Sequence, residues 1–203
     1  MTLLQPSKSA NRALLVIDVQ NEYFTGQLPV YYPSGSLDNI LAAIDVAFSQ
    51  EIPVIVIRHT QPDENSAIFH KDSPQWQLHP EIVKGSYSLL IDKNFPGSFT
   101  GTNLEAWLRK HDIDTVVISG YMTQMCCDTT ARQAAHLGFS VEFLSDATGT
   151  LDFKTKVATA KAEELHRSTL VAQESFISKV MTTSEWIKEV QEYLKSDSKT
   201  TAA

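Results

Sequence analysis

The only two cysteines of the chain are adjacent, at positions 126 and 127, and Cys126 follows a short turn that begins at Gly120. A buried strand, a glycine and a helix start fall within eight residues, which predicts that Cys126 lies in the first turn of a helix. Unpaired amides at a helix start favour the thiolate and could hold a carbonyl oxygen as it gains charge. A buried structural cysteine explains the local pattern equally well. Cys127 lies about 100° further round the helix and is expected to pack against the sheet.

Two charged residues, Asp18 and Lys93, accompany short apolar runs and could reach the same site. Asp18 lies at the end of the run 13–19, where a lone buried charge needs a partner or a chemical role. Lys93 follows the run 89–91, and its ammonium could hold a thiolate and a carboxylate nearby. The alternatives are that Asp18 is a cap or loop residue and that Lys93 is a solvated surface lysine.

Three histidines, His59, His70 and His79, lie in a long irregular segment, 57–90. The segment contains neither HEXXH nor CxxC spacing, so we interpret these residues as pocket or surface histidines rather than metal ligands. A loop of this length in a compact domain is usually functional or flexible, and we interpret it as part of a pocket wall.

The hydrophobic pattern around these residues predicts strands that alternate with helices. Nearly continuous apolar runs, typical of strands buried in a parallel sheet, lie at 13–19, 53–57, 115–119 and 140–144, with a weaker one at 168–172. Helical periodicity occurs at 37–50, 102–110, 123–137, 153–165 and 184–194. The alternation predicts an α/β fold with three layers, α/β/α, and a doubly wound, mostly parallel sheet of about six strands. Ligands bind such sheets beyond the carboxyl ends of the strands.

Length and composition restrict the class of protein. The 203 residues suit a single domain at 1–194, followed by a polar tail at 195–203 that we expect to be disordered. A net charge of -7 without lysine or arginine runs argues against nucleic acid or an anionic membrane as partner. The sequence has no signal-peptide core and no run of 18 apolar residues, so we expect a cytoplasmic protein without a membrane span. GxGxxG and Walker motifs are absent, which disfavours nucleotide-dependent redox or phosphoryl-transfer chemistry.

Three segments together resemble the motifs of the isochorismatase-like cysteine hydrolase superfamily, which includes nicotinamidase-related and N-carbamoylsarcosine amidase-like enzymes. They are DVQNEYF at 18–24, KNFPGSF at 93–99 and GYMTQMC at 120–126, the last of which has the GxxTxxC form of the family's nucleophile turn. The resemblance extends over residues 12–175, with the three motifs in the order that the family has. It implies the isochorismatase-like fold, which is a Rossmann-like α/β fold.

The resemblance implies a catalytic triad of Cys126, Asp18 and Lys93. It also implies a cis peptide bond between Tyr121 and Met122, with the backbone amides of Met122 and Cys126 forming an oxyanion hole. Asp18 would take the thiol proton, and Lys93 would help to hold the thiolate while Cys126 attacks a carbonyl carbon. The expected reaction is hydrolysis of a C–N bond in a small amide or ureide through a thioester.

Aromatic residues are the candidates for the wall of the substrate pocket. Tyr23 matches a family position that commonly faces substrate, and the other candidates are Trp76, Phe95, Tyr121 and Phe153. For each of them, ordinary core packing is the alternative. The resemblance also suggests a homodimer or higher homo-oligomer, in which neighbouring subunits could close the pocket around a small-molecule substrate.

Two departures from the family pattern bear on the substrate. Nicotinamidases usually carry a metal-binding Asp-x-His motif after the second strand, but this chain has Ile57-Arg58-His59 there. We therefore expect no metal or other cofactor, and nicotinamide is a less favoured substrate. Isochorismatases that cleave a vinyl ether often lack the cysteine, so Cys126 favours amide chemistry. The alternatives are vinyl-ether hydrolysis with Asp18 as general acid, a non-catalytic binding protein, and a thiol redox protein using Cys126 and Cys127.

Overall fold

A six-stranded parallel sheet forms the centre of the protein, with its strands in the order β3-β2-β1-β4-β5-β8. The computed structural model describes residues 11–200, with side chains described up to residue 192. The strands of the sheet are β1 (Arg12–Ile17), β2 (Val54–His59), β3 (Leu89–Lys93), β4 (Thr115–Tyr121), β5 (Ser140–Gly149) and β8 (Lys179–Met181). A separate antiparallel hairpin consists of β6 (Phe153–Lys154) and β7 (Thr159–Ala160).

Helices cover both faces of the sheet, which confirms the predicted three-layer α/β fold. They are α1 (Ser36–Ser49), α2 (Pro80–Lys84), α3 (Leu104–Lys110), α4 (Asp128–His136), α5 (Ala162–Phe176) and α6 (Thr183–Thr200). Successive side chains of a strand point to opposite faces, so β1 contributes to two cores. Leu14 and Val16 pack in the core that includes α1 and α6, whereas Leu15 and Ile17 pack in the core that includes α3 and α4.

The structure differs from the predicted elements around α5 and at the sheet edges. The segment 168–172, predicted as a weak strand, lies inside α5, and the helix predicted at 153–165 begins only at Ala162. The Glu164 side chain accepts the backbone N–H of Lys161 at 3.0 Å, which favours a helix start at this point. The pattern does not predict the edge strands β3 and β8, because runs of five and three residues are too short to define a period.

The last helix also extends further than predicted. α6 continues to Thr200, whereas the sequence predicts a helix end at 194 and a disordered tail at 195–203. No glycine or proline follows Thr183, so the sequence contains no strong helix stop there. Residues 201–203 of the predicted tail lie outside the described residues. Among the helices of residues 11–200, none is both long and apolar enough to cross a membrane.

Candidate active site

Asp18, Lys93 and Cys126 meet at the carboxyl edge of the sheet. The strand order changes direction between β1 and β4, and ligands of such sheets bind in the crevice beyond this point. Asp18 directly follows β1, Lys93 is the last residue of β3, and Cys126 lies in the turn after β4. The topology therefore brings the three predicted catalytic side chains to the position expected for a ligand site.

The backbone of Asp18 has an unusual, fixed conformation. Its φ angle is 53°, its N–H donates to the Ile57 carbonyl at 2.9 Å, and its own carbonyl accepts the Gln20 N–H at 2.8 Å. The neighbouring strand approaches closely at Gly120, where φ is 109° and an added Cβ would lie 2.0 Å from the Ile17 carbonyl oxygen. Only glycine fits this approach, which sets the distance between Asp18 and the turn after β4.

Lys93 connects the other two members of the predicted triad. Its Nζ lies 2.7 Å from Asp18 Oδ2, 3.5 Å from Cys126 Sγ and 3.4 Å from His59 Nδ1. The contact with Asp18 is an ion pair between two fully buried side chains. The carboxylate is thus buried and ionic but keeps acceptor capacity for a proton or for a substrate group.

The electrostatics of the site favour a neutral Cys126 thiol and a charged Lys93. Burial raises the pKa of the Cys126 thiol above its ordinary value, the Asp18 carboxylate raises it further, and Lys93 only partly opposes them. Burial alone would lower the pKa of Lys93, but the facing Asp18 carboxylate and Cys126 raise it overall. Because Lys93 and Asp18 already neutralise each other, ionisation of the thiol would leave a net negative charge in a buried site. The thiolate that the sequence pattern favours is therefore not the resting form.

The turn that carries Cys126 is a π-helical turn, Thr123–Cys127, which precedes α4. Cys126 therefore lies in the first turn of a helix, as predicted, and this turn is π-helical because the Met122 carbonyl accepts the N–H of Cys127, five residues on, at 3.2 Å. The peptide bond between Tyr121 and Met122 is cis, as the family resemblance implies. The Cys127 side chain is fully buried in the core formed with the sheet, as predicted.

The backbone N–H of Met122 lies in the turn that carries Cys126, directly after the cis peptide bond. An amide beside a nucleophile can stabilise an oxygen atom that gains negative charge. Met122 itself is buried, with 6% of its surface exposed, so water competes little for the amide.

A second buried contact, which the sequence pattern does not indicate, supports the same turn. The Thr123 hydroxyl lies 2.8 Å from Nδ1 of His166 in α5, and both side chains are buried. Burial lowers the pKa of His166 to about 4, with an opposing contribution from the Ser145 backbone. The neutral ring joins α5 to the turn. No local signal marks His166, because its partner lies 43 residues away.

His59, for which the sequence predicts a pocket or surface position, is buried and contacts Lys93 inside the site. Gln20 holds its backbone: the Gln20 side chain accepts the His59 N–H at 2.8 Å and donates to its carbonyl at 2.9 Å. The ring packs edge-on against Phe69, with centroids 5.2 Å apart. Burial, followed by the charge of Lys93, lowers the pKa of His59 to about 4, so the ring is neutral near pH 7. The signal that could have revealed this contact is the pairing of β2 with β3, which places His59 opposite Lys93.

The other two histidines of the long segment lie apart from His59. His70 is exposed and lines a cleft of about 570 Å³ together with Thr60, Asn94 and residues of the segment 61–71. His79 caps α2, where its Nδ1 accepts the Glu81 N–H at 3.3 Å. Within residues 11–200, no three side chains of the His, Cys, Asp and Glu types are grouped so that they could hold a metal ion.

Two of the predicted pocket aromatics lie in one cluster near the triad. Tyr23 is buried and packs against Phe69 and Tyr121, with ring centroids 5.3 and 5.5 Å away. Burial raises the pKa of Tyr23 well above its ordinary value, and Cys126 and Asp18 raise it further, so the phenol is neutral. The Tyr121 hydroxyl is already within hydrogen-bond distance of Ser36, at 3.0 Å, which is typical of a core residue.

The structure does not join the remaining aromatic candidates to the triad. Trp76 is buried under the guanidinium of Arg58, and its indole N–H donates to Thr60 at 2.7 Å. Phe95 is 54% exposed. Phe153 belongs to the β6–β7 hairpin and packs partly buried against the core that includes α1. Their role in a substrate pocket stays a prediction.

Known proteins resemble this chain over most of its length. The family model of the isochorismatase domain matches residues 12–185. Nicotinamidase 3 of Arabidopsis thaliana is 32% identical over 174 residues, which cover 78% of each chain. The crystal structure of a candidate isochorismatase from Burkholderia xenovorans LB400 has 41% identity and a TM-score of 0.88, and covers 91% of this chain and 89% of its own. A cysteine hydrolase from Pseudomonas syringae pv. phaseolicola 1448A has 25% identity and a TM-score of 0.86, covering 95% and 98%. The chain therefore belongs to the isochorismatase family of hydrolases.

Proposed function

We propose that the protein hydrolyses the C–N bond of a small amide or ureide, with Cys126 as the nucleophile and a thioester as the intermediate. The observation that carries this proposal is the position of Lys93 Nζ, which contacts both Asp18, at 2.7 Å, and Cys126, at 3.5 Å. A carboxylate, an ammonium and a thiol in contact are the components of an activated nucleophile. Similarity to a nicotinamidase supports amide chemistry, and similarity to a cysteine hydrolase supports a cysteine nucleophile.

In the acylation step, Asp18 is the general base because the thiol is neutral at rest. As the Cys126 sulfur bonds to the carbonyl carbon, its proton passes to Asp18 and the carbonyl oxygen becomes an oxyanion. The N–H groups of Met122 and Cys126 would stabilise this oxyanion. When the carbonyl re-forms, the C–N bond breaks and the Asp18 proton passes to the departing nitrogen, which leaves as ammonia or an amine.

Deacylation uses the same groups in the opposite order. Asp18 takes a proton from a water molecule as the water oxygen attacks the thioester carbonyl, and a second oxyanion forms on the same amides. The C–S bond then breaks, the acid leaves, and the proton on Asp18 returns to the Cys126 sulfur. Lys93 stays protonated throughout, and its charge stabilises the negative charge that moves between the carboxylate and the sulfur.

The burial of the nucleophile restricts the size of the substrate. Only 6% of the Cys126 surface is exposed, so the acyl group must be small enough to enter a narrow space. We propose that Tyr23 lines this space, because its buried ring packs against Tyr121, 5.5 Å away, at the start of the turn that carries Cys126. A small planar carbonyl compound, such as a primary amide or a ureide, fits these requirements.

The test is ammonia release from a panel of primary amides and ureides, measured for the wild type and two matched variants. Cys126→Ala should abolish release, whereas Cys127→Ala removes a neighbouring buried thiol and should retain most of it. Mass spectrometry of the quenched reaction should detect an acyl group on Cys126. If Cys126→Ala retains hydrolysis of a vinyl ether that Asp18→Asn abolishes, the vinyl-ether alternative holds instead. A reversible bond between Cys126 and Cys127 under mild oxidants, without amide hydrolysis, would support the redox alternative.

A further inference from the structure

His59 provides Lys93 with a third contact that the triad does not require. Nδ1 of His59 lies 3.4 Å from Lys93 Nζ, whose other contacts are Asp18 Oδ2 and Cys126 Sγ. Lys93 is almost completely buried, with 1% of its surface exposed, so water cannot freely replace any of these partners. A lysine ammonium has three N–H donors, and here it has three facing atoms.

The chemistry of this contact determines the proton position on the imidazole. A protonated lysine has donors only, so Nδ1 of His59 must present its lone pair to Lys93, and the ring proton must be on Nε2. A second proton on the ring would place two cations 3.4 Å apart in a buried site. Within the described residues, the Nε2 of His59 has no hydrogen-bond partner, so no contact at this atom favours the tautomer that carries its proton on Nδ1.

The ring is held in place from two sides. Both hydrogen bonds between the Gln20 amide and the His59 backbone fix the end of β2, and the side chain of Gln20 also donates to the Trp76 carbonyl at 2.7 Å. Phe69 packs edge-on against the imidazole. Because Lys93 lies opposite His59 in the pairing of β3 with β2, the sheet fixes the position of the ammonium relative to the imidazole.

We propose that His59 is a positioning residue of this site, which accepts a hydrogen bond from Lys93 through Nδ1 and thereby directs the remaining ammonium protons to Asp18 and Cys126. This inference rests on the proposed function. Without the third acceptor, one buried donor of Lys93 would lack a partner, and the ammonium could turn away from the sulfur to satisfy it. His59 thus acts on the reaction through Lys93 and does not touch the reacting atoms.

Two variants of similar size separate the role of Nδ1 from that of the rest of the ring. His59→Asn keeps an acceptor at the position of Nδ1, whereas His59→Gln places its amide near Nε2 and leaves Lys93 without that acceptor. We expect His59→Asn to keep kcat within a few-fold of the wild type. His59→Gln should lower kcat by about 10- to 100-fold, the usual effect of removing such a supporting contact, with little change in KM. Equal losses in both variants, or losses confined to KM, would overturn the proposal.

A measurement on the wild-type protein does not depend on activity or on variant folding. The ¹⁵N chemical shifts of the His59 ring distinguish an unprotonated Nδ1 from a protonated one, and we expect the Nε2–H tautomer near pH 7. A protonated Nδ1 would overturn the inference even if amide hydrolysis is established. Conversely, an active Cys126→Ala variant would disprove the proposed function while the tautomer result stands, so the two failures are distinguishable.

Discussion

Lys93 Nζ lies 2.7 Å from Asp18 Oδ2, and both side chains are fully buried. Two opposite charges that are buried away from water stabilise each other. If one of them is removed, the remaining unpaired charge lowers the free energy of unfolding. The pair therefore links the stability of the sheet edge to the chemistry that we propose for it, and this link can be measured.

Removing only Lys93 should destabilise the protein more than removing both charges. We expect Lys93→Met to lower the free energy of unfolding by about 3–5 kcal/mol, because the Asp18 carboxylate is left buried without a counter-charge. The double variant with Asp18→Asn should recover most of this loss, although both variants should be inactive. Urea unfolding at pH 7 of the wild type, both single variants and the double variant measures the coupling. Additive effects of the two substitutions would show that the ion pair is not formed.

The neutral resting thiol predicts the pH dependence of alkylation. We expect the rate of iodoacetamide labelling at Cys126 to rise only above the ordinary thiol range, about pH 8.5, because burial and Asp18 raise the pKa of the thiol. Asp18→Asn should shift the profile to lower pH, and Lys93→Met should shift it to higher pH. Peptide mass spectrometry in a Cys127→Ala background identifies the labelled residue. A wild-type rate that is already maximal well below pH 8.5 would instead indicate a resting thiolate.

The buried His166 should make the protein sensitive to acid. Its pKa is about 4 in the folded protein and about 6.5 when exposed, so the unfolded chain binds more protons between these values. Its contribution to stability is present above pH 6.5 and is lost as the pH falls towards 4, by about 3 kcal/mol in total.

The measurement is urea unfolding at several pH values from 7 to 4, with His166→Asn as the comparison. Asparagine keeps a polar atom near Thr123 but does not titrate, so the variant should lose less stability over this range than the wild type. Parallel pH dependence in the two proteins would assign the acid sensitivity to other groups, of which His59 is the first candidate because its pKa is also lowered to about 4.

Gly120 and Gly138 form a matched pair that tests the close approach of β4 to β1. Both have positive φ angles, 109° and 85°, but an added Cβ at Gly120 would lie 2.0 Å from the Ile17 carbonyl, whereas at Gly138 it would meet open space. Gly138→Ala should therefore cost only about 1 kcal/mol and retain activity. Gly120→Ala should cost at least about 2 kcal/mol more and abolish activity, because the strands must separate next to Asp18.

Thermal unfolding and ammonia release measure these two variants. A Gly120→Ala protein that is as stable and as active as Gly138→Ala would mean that the approach of the strands does not determine the position of Asp18.

Local sequence was sufficient for the features that depend on neighbouring residues. The four long apolar runs predicted β1, β2, β4 and β5, since a strand buried on both faces needs continuous apolar side chains. The period of apolar residues predicted α1, and Gly138, with its positive φ, follows α4 as expected of a helix stop. The motif at 120–126, which follows a predicted strand, predicts Cys126 at the carboxyl edge of the sheet, where the structure has it.

Tertiary structure decided the features that depend on residues distant in the chain. The short strand β3 exists because it pairs with β2, and only this pairing places Lys93 opposite His59. The charge state of Cys126 follows from burial and from the Asp18–Lys93 pair, which outweigh the helix-start preference of the local sequence. Strand pairing and burial depend on segments that are far apart in the sequence and come together only in the folded chain. The contacts of His59 and His166 therefore follow from the tertiary structure and not from the local sequence.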